Sequence, residues 1–255
     1  MNAKQKSMTE SFFEYFDICY AGNQIQRDHV GRIRYRVYCE EFGYEPGESF
    51  PDGIERDDFD QQSLHCLVTH KTTDTPAGCV RAVLTRGDDP LPFEKFCSNS
   101  LDAEFFEHNP MPRESICEIS RLAVDGFFRR RAGEKATRYG GGVNIADLSK
   151  REQRTFPLIA IACYLGAIAA GAGAGCTRAF AMMEPFLPRL LQHSGIKAAK
   201  VGQEIDYHGL RAPYYMTLEE NMDSMIPELR EFYDEIERFV AKGYQQSTNS
   251  QLPSD

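Results

Sequence analysis

Residues 156–176 read FPLIAIACYLGAIAAGAGAGC and contain no charged side chain. The stretch is long enough for a membrane span, but its second half is almost wholly alanine and glycine, which insert weakly into a bilayer. Small side chains allow the backbone of a helix to approach a sheet closely. We therefore interpret 156–176 as a helix buried against a sheet, with a membrane span as the alternative.

Strand-like segments lie on both sides of this helix. The sequence ICEISRLAV at 116–124 precedes it and 177–183 follows it, which predicts a crossover between parallel strands. A strand or short helix is predicted at 12–20, and a loop at 44–59. The remaining segments are predicted as helices at 28–42, 93–108, 184–194 and 225–242, and as strands at 64–70, 77–85, 201–207 and 214–218. This order predicts a mixed α/β fold.

The chain is predicted to form one domain, over residues 10–243. Residues 127–155 form a charged, glycine-bearing insert that we expect to be partly mobile. The ends at 1–9 and 244–255 are polar and are predicted to be disordered.

Composition excludes several classes of protein. The chain has 255 residues, and 29 Lys and Arg against 38 Asp and Glu give a net charge of −9, which argues against binding nucleic acid through a basic surface. A hydrophobic content of 42% with 26% charged residues is typical of a folded globular protein. The eight cysteines lack C-x-x-C or zinc spacing, so we predict reduced core thiols, no metal site and a cytoplasmic location. Residues 1–10 show no pattern of a signal peptide.

Charged residues inside apolar strands are the candidates for chemistry, because burying them is costly unless they are paired or used. Arg81 lies in GCVRAVL, and Glu118 and Arg121 lie in CEISRLAV. An ion pair between Arg81 and Glu118 is one explanation. Alternation along a strand predicts that Arg121 faces away from Glu118 and Ser120, unless a bulge intervenes.

Three other motifs have both a functional and a plain interpretation. ERDDFD at 55–60 is either an acidic loop in solvent or a ligand-binding segment. Arg129, Arg130 and Arg131 follow a strand, where phosphates are often bound, or are simply solvated. YHGLRAPYY at 207–215 predicts a shaped loop that carries polar aromatic groups.

In order and spacing these motifs resemble the acyl-homoserine-lactone synthases. That family carries an Arg and an aromatic residue on its first helix, a further aromatic residue, E-x-D-x-x-D, an Arg on the next strand and E-x-x-R. Here Tyr38 and Tyr44 stand where Phe and Trp are usual. The C-terminal half resembles the acyltransferases associated with PEP-CTERM/exosortase systems, which are relatives of the N-acyl amino acid synthases. The resemblance extends from about residue 12 to residue 239.

The resemblance implies a GNAT-like three-layer fold with a central mixed, splayed sheet. It also implies an N-acyltransferase that takes a fatty acyl group from an acyl thioester, on acyl carrier protein or coenzyme A, to an amino acid or another small amine. No tightly bound cofactor is expected, and acyl carrier protein is the expected partner. Contact with a membrane would be transient, for a lipid product.

Candidate roles follow from what N-acylation needs. Glu118 is the candidate base, because a strand position can raise its pKa by desolvation, and Tyr214 is the candidate proton donor to the leaving thiolate. The backbone of Leu122, Ala123 and Val124 would hold the oxyanion if the strand is bulged. The arginine triplet 129–131 would bind the donor's phosphate or an acidic carrier. An acyl tunnel would be lined by Phe180, Met182, Met183 and Phe186.

The remaining candidates would hold the acceptor pocket, with Arg121 also counted among the catalytic groups. They are Arg34, Tyr38, Tyr44, Asp57, Asp60, Arg81 and Arg121. Two other functions stay open: a signal synthase that uses S-adenosylmethionine, and a non-catalytic carrier-binding protein with the same fold.

Overall fold

The structure is a computed structural model that describes residues 6–129 and 148–249. Its strands are β1 (Phe16–Tyr20), β2 (Ser63–His70), β3 (Thr75–Leu84), β4 (Ile116–Val124), β5 (Arg178–Met183), β6 (Ala199–Lys200), β7 (Ile205–Asp206) and β8 (Leu210–Thr217). Its helices are α1 (Met8–Tyr15), α2 (Gln24–Arg34), α3 (Pro92–Cys97), α4 (Ala103–His108), α5 (Gly126–Arg129), α6 (Lys150–Gln153), α7 (Pro157–Gly173), α8 (Leu187–Gln192), α9 (Leu218–Ser224) and α10 (Pro227–Asn249). A π-helical segment, Tyr35–Glu41, continues α2.

The strands form one open sheet in the order β1-β2-β3-β4-β5-β8-β6, and β7 pairs with β8. Every pairing is antiparallel except that of β4 with β5, which α7 connects. The β4–β5 ladder joins only Ile116–Glu118 to Arg178–Phe180, although β4 continues to Val124 and β5 to Met183. The two parallel strands therefore separate beyond Glu118, as the predicted splayed sheet requires.

One face of the sheet is covered by α7, α10 and α1, whose apolar residues form the largest core cluster. Small residues permit this packing: a Cβ added to Gly166 of α7 would lie 2.9 Å from Ile18 and 3.3 Å from Cys66. The predicted buried helix is thus confirmed. The described helices include none long and apolar enough to cross a membrane.

The other face carries α2, α3, α4 and the segment between α2 and β2. Phe59, Phe93 and Phe180 pack there with Val83 in a second cluster, and α2 forms a third cluster with β2 and β3. Arg81 of β3 and Glu118 of β4, both buried, have their side chains on this face. We call it the site face, and the face covered by α7 the α7 face.

The predicted ends and the last strands differ from the structure. A capping box between Ser7 and Glu10 starts α1 at Met8, and α10 continues to Asn249, so helix occupies part of both predicted disordered ends. The strand predicted at 201–207 is reduced to β7 and an isolated bridge at Gly202. A Cβ added to Gly202 would lie 2.1 Å from the Ser100 carbonyl oxygen, because the backbone at Ser100 passes close to Gly202.

Other element boundaries also differ from the predicted ones. The strand predicted at 214–218 begins earlier, at Leu210, and stops at Thr217 because Leu218 starts α9. The predicted insert at 127–155 contains helix at both margins, in α5 and α6, while 130–147 lie outside the described residues. That the chain forms a single domain stays a prediction.

Candidate active site

Arg34, at the end of α2, is 1% exposed and is surrounded by carboxylates. Its Nε donates to Glu55 and its Nη1 to Oδ1 of Asp60, the latter at 2.6 Å. Gly31, one turn earlier, joins α2 to the acidic segment at 55–60, since its carbonyl accepts from the Glu55 N–H at 3.1 Å. Most of the acidic motif is therefore bound by arginine instead of lying free in solvent; of its four acidic residues, only Asp58 is exposed.

Arg81 reaches the same segment from β3. Its Nη1 lies 2.5 Å from Oδ1 of Asp57 and 2.7 Å from Oδ1 of Asp60, and its Nε donates to the Ser120 hydroxyl at 3.0 Å. The ion pair considered between Arg81 and Glu118 is replaced by these contacts. Arg81 thus joins the sheet to the acidic segment.

A bulge in β4 directs Arg121 to this cluster as well. Ser120 pairs with Arg81 and Ala123 with Cys79, so the two residues Arg121 and Leu122 lie opposite one residue of β3. Arg121 has a φ of 52°, in the left-handed region that costs a non-glycine residue energy. Strict alternation is therefore wrong here, and the bulged alternative is confirmed.

The bulge places the Arg121 guanidinium among three carboxylates. Its Nη2 lies 2.9 Å from Glu45, 3.3 Å from Glu55 and 3.4 Å from Asp57. Its guanidinium carbon is 5.1 Å from the centre of the Tyr38 ring. The Tyr38 hydroxyl in turn donates to the carbonyl of Leu122 at 3.2 Å. These contacts fix the backbone that we predicted to hold the oxyanion.

Asp57 and Asp60 of the acidic segment are held in their ionised form. Burial alone would raise the pKa of Asp57 and Asp60, but Arg81 and Arg34 outweigh it and hold both pKa values below their ordinary range. Burial lowers the pKa of His65 to about 4, even though Asp60 lies 3.6 Å from its Nε2. His65 is therefore neutral near pH 7 and adds no charge.

Glu118 has the opposite electrostatic environment. It is 2% exposed and lies beneath the start of α3, where its Oε2 accepts the Phe93 N–H at 2.8 Å. Burial raises its pKa to about 8, although that hydrogen bond and the charges of Arg81 and Arg121 act in the other direction. A carboxylate that is half ionised near pH 8 suits a general base.

Tyr214 does not reach Glu118. It pairs with Ala181 and packs in the core cluster of the α7 face, whereas Glu118 pairs with Phe180 on the site face. The assignment of Tyr214 as proton donor is therefore wrong, because alternation along β8 turns it to the far side of the sheet.

Tyr207 and Tyr215 of the same motif lie on the site face, and Tyr207 lies in the loop near Glu118. Burial raises its pKa to about 12, and its hydroxyl is near enough to Arg121 and Glu118 for their charges to act on it. His208 follows it with a φ of 54° and lies 5.3 Å from the Tyr44 ring. The YHGLRAPYY motif predicted this loop, but Tyr214, the tyrosine predicted to donate a proton, packs on the α7 face.

Of the arginine triplet at 129–131, the structure describes only Arg129. Arg129 contacts Glu41, the Val124 carbonyl at 2.7 Å and the Phe42 ring at 5.3 Å, while Arg130 and Arg131 lie outside the described residues.

Of the residues predicted to line an acyl tunnel, Phe180 and Met182 lie on the site face. Met183 lies on the α7 face, and Phe186 is 56% exposed and lines nothing buried.

Among the described side chains, no group of three or more His, Cys, Asp or Glu is arranged to hold a metal ion. The eight cysteines, all in the described ranges, form no disulfide.

Residues 33–138, less than half of the chain, match the family model described as an acetyltransferase (GNAT) domain. No curated protein matches the sequence significantly.

Three solved structures illustrate the likeness. TofI, in a ternary complex with an inhibitor and MTA, has a TM-score of 0.57 at 17% identity over 84% of this chain and 98% of its own. FeeM, an N-acyl amino acid synthase from uncultured soil microbes, has a TM-score of 0.54 at 12% identity over 85% and 97%. BjaI, a CoA-dependent acyl-homoserine lactone synthase with SAM and isopentyl-CoA, has a TM-score of 0.53 at 17% identity over 87% and 89%.

At these identities the likeness concerns architecture. The open mixed sheet with its separated parallel pair, the helices on both faces and the family match at 33–138 agree with one another. Residues 33–138 resemble the acetyltransferase (GNAT) domain, and the chain has a GNAT-like fold.

Proposed function

We propose that the protein is an N-acyltransferase that moves a fatty acyl group from an acyl thioester to the amine of an amino acid or similar small acceptor. The observation that carries the proposal is the position of Glu118. It is a buried carboxyl with a raised pKa, on the strand that separates from its parallel neighbour and next to a bulge. The family match and the fold shared with acyltransferring synthases support the same class of reaction.

Each residue then has a role in one reaction. The amine attacks the thioester carbonyl, a C–N bond forms, and the C–S bond breaks. Ionised Glu118 accepts the proton that the amine loses, through a water molecule, and the thiolate leaves as a thiol after taking up a proton. Tyr207 replaces Tyr214 as the candidate donor of that proton, since it lies on the side of Glu118.

The bulge contributes the oxyanion site. An extra residue in one strand leaves backbone groups without ladder partners, and the backbone of Leu122, Ala123 and Val124 lies in or directly after this bulge. Donors held in this way stabilise charge that develops in the transition state. Arg121, Tyr38 and the acidic segment position this backbone, and Arg34, Asp60, Arg81 and Tyr44 complete the wall of the acceptor pocket.

The finer assignments have other grounds than the geometry of Glu118. The preference for acyl carrier protein over coenzyme A and the association with PEP-CTERM/exosortase systems rest on the resemblance. Phosphate or carrier binding by Arg129, Arg130 and Arg131 rests on their position after a strand, and the cytoplasmic location rests on the spacing of the cysteines. A signal synthase that uses S-adenosylmethionine is the second candidate, favoured by the fold shared with BjaI.

Mass spectrometry of lipids from cells that express the protein or its Glu118→Gln variant tests the proposal. New amides found only with the native protein are the expected result, and they identify both acyl chain and acceptor. Homoserine lactones would establish the second candidate instead. A folded protein that forms no product from defined acyl thioesters and amines, yet captures acyl carrier protein, would contradict both and leave a carrier-binding role.

A further inference from the structure

Arg211 lies on the site face at the point where the parallel strands separate. Along β8, Ala212, Tyr214 and Met216 join the core of the α7 face. Alternation therefore turns Arg211 and Tyr215 to the opposite face, where the Tyr215 ring packs against Phe180. The start of β8 lies beside the end of β5, because Ala212 pairs with Met183.

The guanidinium of Arg211 is close to the residues of the candidate active site. Burial raises the pKa of the Tyr38 hydroxyl, and the charges of Arg121 and Arg211 oppose this rise. Burial likewise raises the pKa of the Cys97 thiol to about 11, with Glu118 adding to the rise and Arg211 opposing it. The strand register agrees with this position, because Arg211 pairs with Ile205, which packs in the same site-face cluster as Cys97.

Arg211 differs from the other arginines of this face in having no counter-ion. Arg34, Arg81 and Arg121 each lie within 4.0 Å of at least two carboxylates. Over residues 6–129 and 148–249, Arg211 makes no ion pair, and its buried Nε has no hydrogen-bond partner. Leaving a buried donor of a charged group unsatisfied is costly. Such a group beside a reactive site suits an anionic ligand.

We infer that Arg211 binds the carboxylate of the acceptor, which makes the acceptor an α-amino acid or a closely similar amino carboxylate. This inference rests on the proposed N-acyltransferase function. A guanidinium and a carboxylate form paired, charge-assisted hydrogen bonds. In an α-amino acid the amine is only one carbon away from the carboxylate, so binding at Arg211 holds the nucleophile at the opening between β4 and β5, on the side of Glu118.

Kinetics with matched substrates test the inference. Purified protein is assayed with one acyl thioester against glycine, alanine, phenylalanine and tyrosine and against their carboxamides. Arg211→Met and Arg211→Lys are compared with Arg238→Met, which removes an exposed charge from α10 on the α7 face. We expect the native protein to favour the acids, and Arg211→Met to lose about 10- to 100-fold in kcat/KM for the acids but not for the amides. The lysine variant should retain part of the preference.

Other outcomes overturn the inference. An equal loss for acids and amides, no preference for acids in the native protein, or a raised KM for the donor alone would each exclude an acceptor-carboxylate role, the last in favour of donor phosphate. If native, folded protein transfers acyl groups to no amine, the proposed function fails. Isothermal titration calorimetry with the same amino acids then tests separately whether Arg211 binds their carboxylate. Binding that Arg211→Met abolishes supports the carboxylate site, and no binding by the native protein overturns it.

Discussion

The guanidinium of Arg121 on β4 lies 3.4 Å from the carboxylate of Asp57, which Arg81 of β3 contacts at 2.5 Å. One side chain of the acidic segment therefore bridges two neighbouring strands at the bulge. The shape of the β4 backbone and the position of the acidic segment depend on each other through this carboxylate.

Asp57→Asn tests that bridge. The amide keeps an oxygen that can accept the Phe59 N–H at the start of the adjoining 3₁₀ helix, but it removes the charge that faces the arginines. We expect a loss of about 1–3 kcal/mol in the free energy of unfolding and lower activity. Urea denaturation measures the former. The neighbouring Asp58 is exposed, so Asp58→Asn should change neither property, and equal effects of the two variants would contradict a bridging role.

Two substitutions of Arg121 distinguish the cost of its strained backbone from the effect of its side-chain contacts. Glycine accepts a φ of 52° without cost, whereas alanine keeps the steric penalty. Both substitutions remove the contacts to Glu45, Glu55 and Asp57. We expect Arg121→Gly to be about 1 kcal/mol more stable than Arg121→Ala in urea denaturation. If alanine is as stable as glycine, the bulge does not persist in solution.

Glu118 should govern the pH dependence of turnover. A base acts only when ionised, so the rate should rise with pH and level off above an apparent pKa near 8. Glu118→Gln preserves the oxygen that accepts the Phe93 N–H, and we expect it to lower kcat by about 100-fold or more. Circular dichroism controls for folding. A pH profile that keeps its midpoint near 8 in the glutamine variant would assign that titration to another group.

Glu118 should also make the free energy of unfolding depend on pH between about 4.5 and 8. The pKa of Glu118 rises from 4.5 to about 8 on folding, so the folded state binds more protons than the unfolded state between these values. Stability is then greatest below pH 4.5 as far as this group is concerned and falls as pH rises through 8. From pH 6 to 8 the native protein should lose about 2 kcal/mol more than Glu118→Gln. Parallel stability curves of the two proteins in denaturant would refute the raised pKa.

Gly31 sets the distance between α2 and the acidic segment. A Cβ there would lie 2.3 Å from Ile54 and 3.1 Å from the Glu55 carbonyl. We expect Gly31→Ala to lower the free energy of unfolding by about 1–3 kcal/mol and to reduce activity by displacing Glu55 from Arg34. Gly173→Ala, in the last turn of α7 with open space around it, should instead stabilise by up to about 1 kcal/mol. Thermal denaturation of both variants distinguishes crowding from a general effect of alanine.

The amino-acid sequence by itself determined the elements at the centre of the fold. The bounds of β4 agree with the prediction because apolar residues begin and end the strand, at Ile116 and Val124, and recur between its polar positions. The buried helix follows from its alanine and glycine content, since such a surface is stable only against another backbone. The motifs also predicted Arg34, Asp57, Asp60, Arg81, Glu118 and Arg121 as site residues, and their part in a reaction stays a proposal.

Only the tertiary structure decided which of these groups meet. The direction of Arg121 depends on a bulge that breaks the two-residue alternation of β4, and it is held by Glu45, Glu55 and Asp57, far away in the sequence. Tyr207 and Tyr214 share one motif, but a loop and a strand turn them to opposite faces of the sheet. Local patterns specify burial and period, whereas the side of a sheet and the partner of a charge depend on contacts between distant segments.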